Sequence, residues 1–219
     1  MSLKHRINFP LATVRKSGPV VLVLMVVGLV VFMLGDAMPQ TARYATFVRL
    51  AGDVRVQGEI SDNKLAAAQA YLTPIIEQHI CRSDILKAGM RLLLLDLDRK
   101  AATQTADERK EALGFAETYM RHGISCLPQD GDVWLRLAMI RQLQNSFPEE
   151  VATLANMSQM MAPADPDVLE ARFTLWKILP PDTLALTVSA RTADVNLLCS
   201  KKGAGVRRNV TDVCAKKSR

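Results

Sequence analysis

Four residues could do chemistry together. His79 and Cys81 form H-x-C, and His122 and Cys126 form H-x-x-x-C. Two imidazoles and two thiolates would suit a tetrahedral zinc ion. Neither spacing is the familiar C-x-x-C, however, and His79 falls on the apolar stripe of its predicted helix. The chain also carries Cys199 and Cys214, giving an even count of four cysteines. In an exported chain such a count favours disulfides. The preferred pairing is Cys81–Cys126, tying one helix end to another, and Cys199–Cys214, closing the polar, glycine-rich loop "SKKGAGVRRNVTDV". The metal set is the lesser alternative, and no metal or other cofactor is expected.

Other catalytic patterns are missing. There is no G-x-S-x-G, H-E-x-x-H or Walker-type loop, and only three histidines. "KKGAGVRRN" contains G-x-G without a preceding strand, a following helix or the third glycine. Acidic pairs such as Asp96/Asp98 and Glu149/Glu150 suit a helix end and a helix start. The expectation is a protein that is not an enzyme.

Export is inferred from the N-terminus. Ser17 to Gly35 is nineteen residues without a charge. As a helix it would span about 28 Å, close to the hydrocarbon thickness of a bilayer. Lys4, Arg6, Arg15 and Lys16 precede it, which predicts a basic cytoplasmic segment over 1–18 and a single-pass transmembrane helix over 19–35. The remainder would be periplasmic, outside the inner membrane. A cleavable signal peptide ending near "GDA", residues 35–37, is the alternative, and it places the body in the same compartment.

Charge is uneven along the chain. The overall +6 is made of +4 in the first eighteen residues and +6 in the last nineteen, leaving a mildly acidic middle. The basic tail, with Lys201, Lys202, Arg207, Arg208, Lys216 and Lys217, could attract an acidic glycan or an anionic lipid headgroup. Nucleic acid is not an expected partner in that compartment.

The elements that position these residues read as helices. Residues 36–60 are a juxtamembrane connector with turn signals at Gly52 and Gly58, and "DVRVQGEI" alternates like a short strand. Six helices follow, the first carrying Leu65, Ala68, Leu72, Ile75, Ile76 and His79 and kinked at Pro74. Ser83 is placed to cap the second. Thr105 with Glu108, and Ser146 with Glu149, fit capping boxes. The last of the six ends at Pro180-Pro181. The fold class is therefore all-α, with a helical domain over 61–181 and a cap and tail over 182–219.

One spacing orders these helices. "LPQDGDVWLRLA" (127–138) is echoed 35 residues later in "APADPDVLEARF" (162–173), matching Pro128 with Pro163, Asp130 with Asp165, Asp132 with Asp167 and Val133 with Val168. The proline closes one hairpin, the aspartate caps the next helix, and Val with Trp134 or Leu169 starts its buried face.

This arrangement resembles the tetratricopeptide repeat, a helical hairpin of about 34 residues. Ala116, Met120, Gly123 and Pro128 fall where the family has small, large apolar, small and proline residues. Trp134, Leu137 and Ala138 match its W-x-x-L-G-like opening, and Pro163 closes that unit one residue late. Arg141 stands where the family has Tyr. The resemblance covers 84–179, and it implies a groove that binds proteins or peptides. Candidate groove residues are Arg136, Gln142 and Asn145. The function expected is a membrane-anchored scaffold or adaptor for another envelope protein, set by the resemblance in polysaccharide synthesis or export. The alternative is direct binding of glycan or lipid by the tail.

Overall fold

The computed structural model describes residues 11–57, 60–210 and 213–214; within them, the side chains of 11–18, 32–38, 55 and 57 are not described. Among the described residues the chain is all-helical, with no strand. The helices are α1 (Leu11–Gln57), α2 (Asp62–Gln69), α3 (Leu72–Glu77), α4 (Ser83–Lys100), α5 (Ala106–Cys126), α6 (Gly131–Leu143), α7 (Pro148–Met161), α8 (Pro166–Ile178), α9 (Pro181–Leu186), α10 (Val188–Leu198) and α11 (Ala204–Arg207). The chain divides into two units, 1–46 and 47–219.

In the first unit, eleven large apolar side chains between Val20 and Val31 are each at least 50% exposed. Among the described residues no helix is long and apolar enough to cross a membrane. Of the stretch predicted to do so, 19–35, only residues 19–31 have described side chains.

The second unit holds the helical core, and its boundary corrects the sequence reading. Residues 47–57 are helix, not a connector with a strand, and Gly52 lies inside that helix; Gly58 is outside the described residues. Alternating Val54 and Val56 suggested β structure, but Phe47 and Ala51 recur one helical turn apart and are 2% and 1% exposed. Burial of a helical face outweighs the local preference of valine. Phe47 lies 5.2 Å from the Tyr71 ring, and the Ala51 carbonyl accepts from Arg91 Nη1 at 3.0 Å.

The first predicted helix is two helices. The break falls at Ala70–Tyr71, four to three residues before Pro74. A proline ring collides with the carbonyl of the residue four before it, so Pro74 opens the chain at Ala70 rather than at its own position. The helix α3 then ends with His79 at φ 49°, as the amides of His79 and Ile80 bond back to the Ile76 and Ile75 carbonyls. His79 is exposed there instead of lying on the apolar stripe.

Two expected caps are absent. Ser83 is the first residue of α4, and the N-cap position belongs to Arg82, which makes no side-chain cap. Likewise α7 begins after Phe147 without a side-chain cap. Ser146 is already committed to closing α6, its amide bonding to the Arg141 carbonyl at 3.0 Å. By contrast the Thr105–Glu108 capping box is formed, with Glu108 Oε2 accepting from the Thr105 amide at 2.8 Å.

The 35-residue echo is a pair of equivalent helix starts. Asp130 Oδ1 accepts from the Asp132 amide at 3.1 Å, and Asp165 Oδ1 from the amides of Asp167 and Val168 at 3.0 and 3.1 Å. Val133 and Val168 enter the core at 4% and 5% exposure, as does Leu169 at 1%. Trp134 does not. It stays half-exposed, its indole N–H donating to the Pro128 carbonyl at 2.8 Å, while Leu135 takes the buried place.

Helix packing proceeds from neighbour to neighbour through α4, α5, α6 and α7, and α8 then packs back on α6. Gly89 makes room between α4 and α5, since a methyl there would collide with the hydroxyl of Tyr119. That hydroxyl donates to the Leu86 carbonyl at 3.1 Å, satisfying a buried polar group between α4 and α5. The segment expected to be cap and tail is largely helical. In it α9 and α10 pack on α7, and α11 packs on α8.

Candidate functional site

The helices α4, α6 and α8, with the last residue of α7, line a groove of about 750 Å3. Its apolar lining comes from Met90 and Leu94, one turn apart on α4, with Met161 and Val168. Its charged lining is paired within the domain. Lys87 Nζ is 2.6 Å from Asp130 Oδ2, Arg136 Nε is 2.9 Å from Asp132 Oδ1, and Arg91 donates to the Ala51 carbonyl. Asp165 and Asp167 form an exposed acidic edge where α8 starts. Gly131 allows α6 to begin against the end of α7, because a methyl there would meet Ala162 and the Ser158 carbonyl. The surface is thus a mixed apolar and charged trough on three alternate helices. Such a surface can hold a peptide segment.

Of the three groove residues expected from sequence, only Arg136 lines it. Gln142 is half-buried elsewhere on α6. Asn145 has φ 54° and closes α6, its amide bonding to the Gln142 carbonyl at 3.1 Å. Asparagine tolerates this left-handed conformation well, which accounts for it without a partner. Sequence reasoning missed Lys87, Met90 and Arg91. The signal present in the sequence is the i, i+4 spacing of Met90 and Leu94.

Arg141, standing where the repeat family has Tyr, is a structural residue. It reaches Glu150 with two bonds of 2.9 and 2.5 Å, and Glu117 and Gln144 at 3.0 and 2.9 Å. Arg121 bonds the same two glutamates at 2.9 and 3.1 Å. Burial pushes the Glu117 carboxyl up, but bonds from Arg121 and Gln144 and the Arg141 charge outweigh it and hold the group below its ordinary range. The bond to Glu150 likewise raises the Arg141 guanidinium against the effect of burial.

A second ionic centre lies at the other end of the domain. Arg172 and Asp194 are both fully buried, joined by bonds of 2.8 and 2.9 Å. The Trp176 indole donates to Asp194 at 3.1 Å, and Arg172 Nη1 donates to the Ala162 carbonyl at 3.0 Å. This set joins α7, α8 and α10. Every lone pair and proton of importance is satisfied, as a buried charge requires.

The cysteines pair as expected, Cys81 with Cys126 and Cys199 with Cys214. The four chemical residues are therefore brought together, with His122 Nε2 3.8 Å from Cys126 Sγ and the two imidazole rings 6.1 Å apart. The sulfurs bond each other, so the thiolates that a zinc set requires are consumed. Among the described residues no group of His, Cys, Asp or Glu is arranged to hold a metal ion.

In the basic tail, Lys201, Lys202 and Arg208 are exposed, whereas Arg207 is half-buried and donates to the Ser200 carbonyl at 2.7 Å. Lys216 and Lys217 lie outside the described residues. In the G-x-G of this region Gly203 serves packing, since a side chain there would strike the carbonyls of Leu197 and Leu198, whereas Gly205 has open space beside it. Compared with protein-family models, curated proteins and solved structures, the chain matches none.

Proposed function

We propose that the chain is a non-enzymatic, membrane-anchored adaptor whose helical domain binds another envelope protein. The observation that carries this reading is the groove of about 750 Å3 along α4, α6 and α8. Three alternate helices, α4, α6 and α8, contribute to one trough, as the corresponding helices of successive hairpins would in a helical-repeat domain. The setting we propose is an assembly for polysaccharide synthesis or export.

The anchor rests on the uncharged run from Ser17 to Gly35, its basic flank, and the exposed apolar row from Val20 to Val31. A soluble protein rarely leaves so many adjacent large apolar side chains in water. A lipid phase would remove that cost, with the helical domain on the periplasmic side of the inner membrane.

The test is crosslinking in native membranes, gentle extraction and sizing of the full chain. The expected result is a complex with a second membrane or periplasmic protein that is lost when Lys87 and Arg136 are both changed to Glu. Migration alone would remove the adaptor reading. A complex that survives the groove change but falls apart on deleting residues 199–219, with steep salt dependence, would instead support an acidic glycan or lipid ligand held by the tail.

A further inference from the structure

The Cys81–Cys126 disulfide is built unevenly. Cys81 is exposed in the turn between α3 and α4, whereas Cys126 is half-buried in the last turn of α5. One helical turn before Cys126 on the same face stands His122, buried at 9% exposure. Its Nε2 is 3.2 Å from the Ile80 carbonyl and 3.8 Å from Cys126 Sγ. A carbonyl oxygen only accepts, so the nitrogen facing it carries a proton. That N–H therefore sits between the carbonyl and the sulfur. The nearest charged residues in the chain, Arg82 and Asp84, bond each other at 2.7 Å. At Cys199–Cys214 both cysteines are half-buried, and neither is offered to solvent over the other.

We propose that Cys81–Cys126 is a thiol–disulfide exchange site, in which an incoming thiolate attacks Cys81 Sγ and Cys126 departs as a thiolate held by the His122 N–H. The bond formed joins the incoming sulfur to Cys81, and the bond broken is the Sγ–Sγ link, whose electron pair goes to Cys126. The incoming thiol is oxidised and Cys126 is reduced. A second thiolate, from the other thiol of a dithiol protein or from a second molecule of a small monothiol, then attacks the incoming sulfur, breaks its bond to Cys81 and releases Cys81 as a thiolate.

Exchange rates depend on which sulfur is reached and on how well the leaving thiolate is stabilised. The structure makes both choices in the same direction, exposing the residue that carries one sulfur and giving the other sulfur a donor. The site also adjoins the groove, since the chain runs from Cys126 directly into Gln129 and Asp130 of its lining. Opening the disulfide frees the end of α5 from which that edge is held.

The probe is glutathione, applied to the full oxidised chain in detergent under single-turnover conditions, with acid quench, alkylation of new thiols and mass mapping. The expected product carries glutathione on Cys81 and the alkyl group on Cys126. Glutathione on Cys126, or an even division between the two, overturns the proposal. A second measurement follows the rate in His122→Phe. If His122 only supports the fold, its loss loosens the end of α5 and speeds reduction. If it stabilises the leaving thiolate, reduction slows by roughly tenfold. An unchanged or faster rate overturns the assignment, and the wild-type map stands even if the variant does not fold.

Discussion

Arg141 and Arg172 do similar chemistry in two regions with different surroundings. Arg141 ties α5, α6 and α7 together from a position 21% exposed, in a network with two glutamates and a second arginine. Arg172 ties α7, α8 and α10 together from a position with no exposure, against one aspartate. At the surface, water and salt stand ready to replace any partner that is lost. In the interior nothing replaces it, so the pair is weak evidence of net stability but strong specification of how α10 docks. Both regions are packed through apolar residues, but only the C-terminal one, with Val168, Leu169, Phe173 and Leu198 around it, encloses an ion pair that loses water entirely.

The largest effect expected follows from breaking the buried pair. Arg172→Met leaves Asp194 charged, desolvated and reduced to the Trp176 indole, and should cost about 3–5 kcal/mol. Chemical denaturation of the domain would read this directly. The double variant Arg172→Met with Asp194→Leu removes both charges and should recover most of the loss. If the single variant costs under about 1 kcal/mol, the buried site is wetter than the geometry implies and the contrast with Arg141 fails.

The surface network should respond on a smaller scale. Arg141→Met should cost about 1–2 kcal/mol, because its bonds are charge-assisted but partly solvated. The cost should shrink as salt rises toward ~1 M, where the screening length is about 3 Å. The Arg172 cost should stay constant across the same series. Equal salt sensitivity at both sites would show that burial does not separate them.

Acid sharpens the comparison further. The Glu117 carboxyl lies below its ordinary value in the folded protein, so it contributes stability above the unfolded value of about 4.3. That contribution is lost as pH falls through the lowered folded value. The melting temperatures of wild type and Glu117→Gln should therefore differ at pH 7 and converge in acid. A gap that stays constant down to pH 3 would mean that Glu117 acts through packing alone.

These regions were unequally legible in the sequence. Asp130 and Asp165 could be read as caps because a helix start is encoded within three residues, and the disulfide pairing followed from loop composition and helix ends. The Arg172–Asp194 pair could not be read. Its partners are 22 residues apart, and Asp194 stands in the segment expected to be a cap and tail, outside the helical domain of 61–181. The helical course of 47–57 was obscured by alternating valines, since only tertiary burial of Phe47 and Ala51 decides it. Of the groove, Arg136 was legible and the α4 side was not. A helix facing both a core and a trough shows a wide apolar stripe with no internal boundary.

The smallest effect expected concerns two helix ends. His79 closes α3 beside the Cys81 clamp at φ 49°, and Asn145 closes α6 at φ 54°. Both amides make the same backward bonds, so both positions ask for a left-handed residue. A β-carbon resists that conformation, but asparagine tolerates it better than histidine. His79→Gly should therefore stabilise by about 0.5–1 kcal/mol, and Asn145→Gly by only a few tenths. Differential denaturation of the two variants would resolve the order. The same pair tests the groove, because Asn145 is committed to its helix end. Asn145→Gly should leave partner capture unchanged, whereas Arg136→Glu should weaken it. If the glycine at 145 abolishes capture while stability is preserved, the contact surface extends past the end of α6, and the trough on α4, α6 and α8 is only part of it.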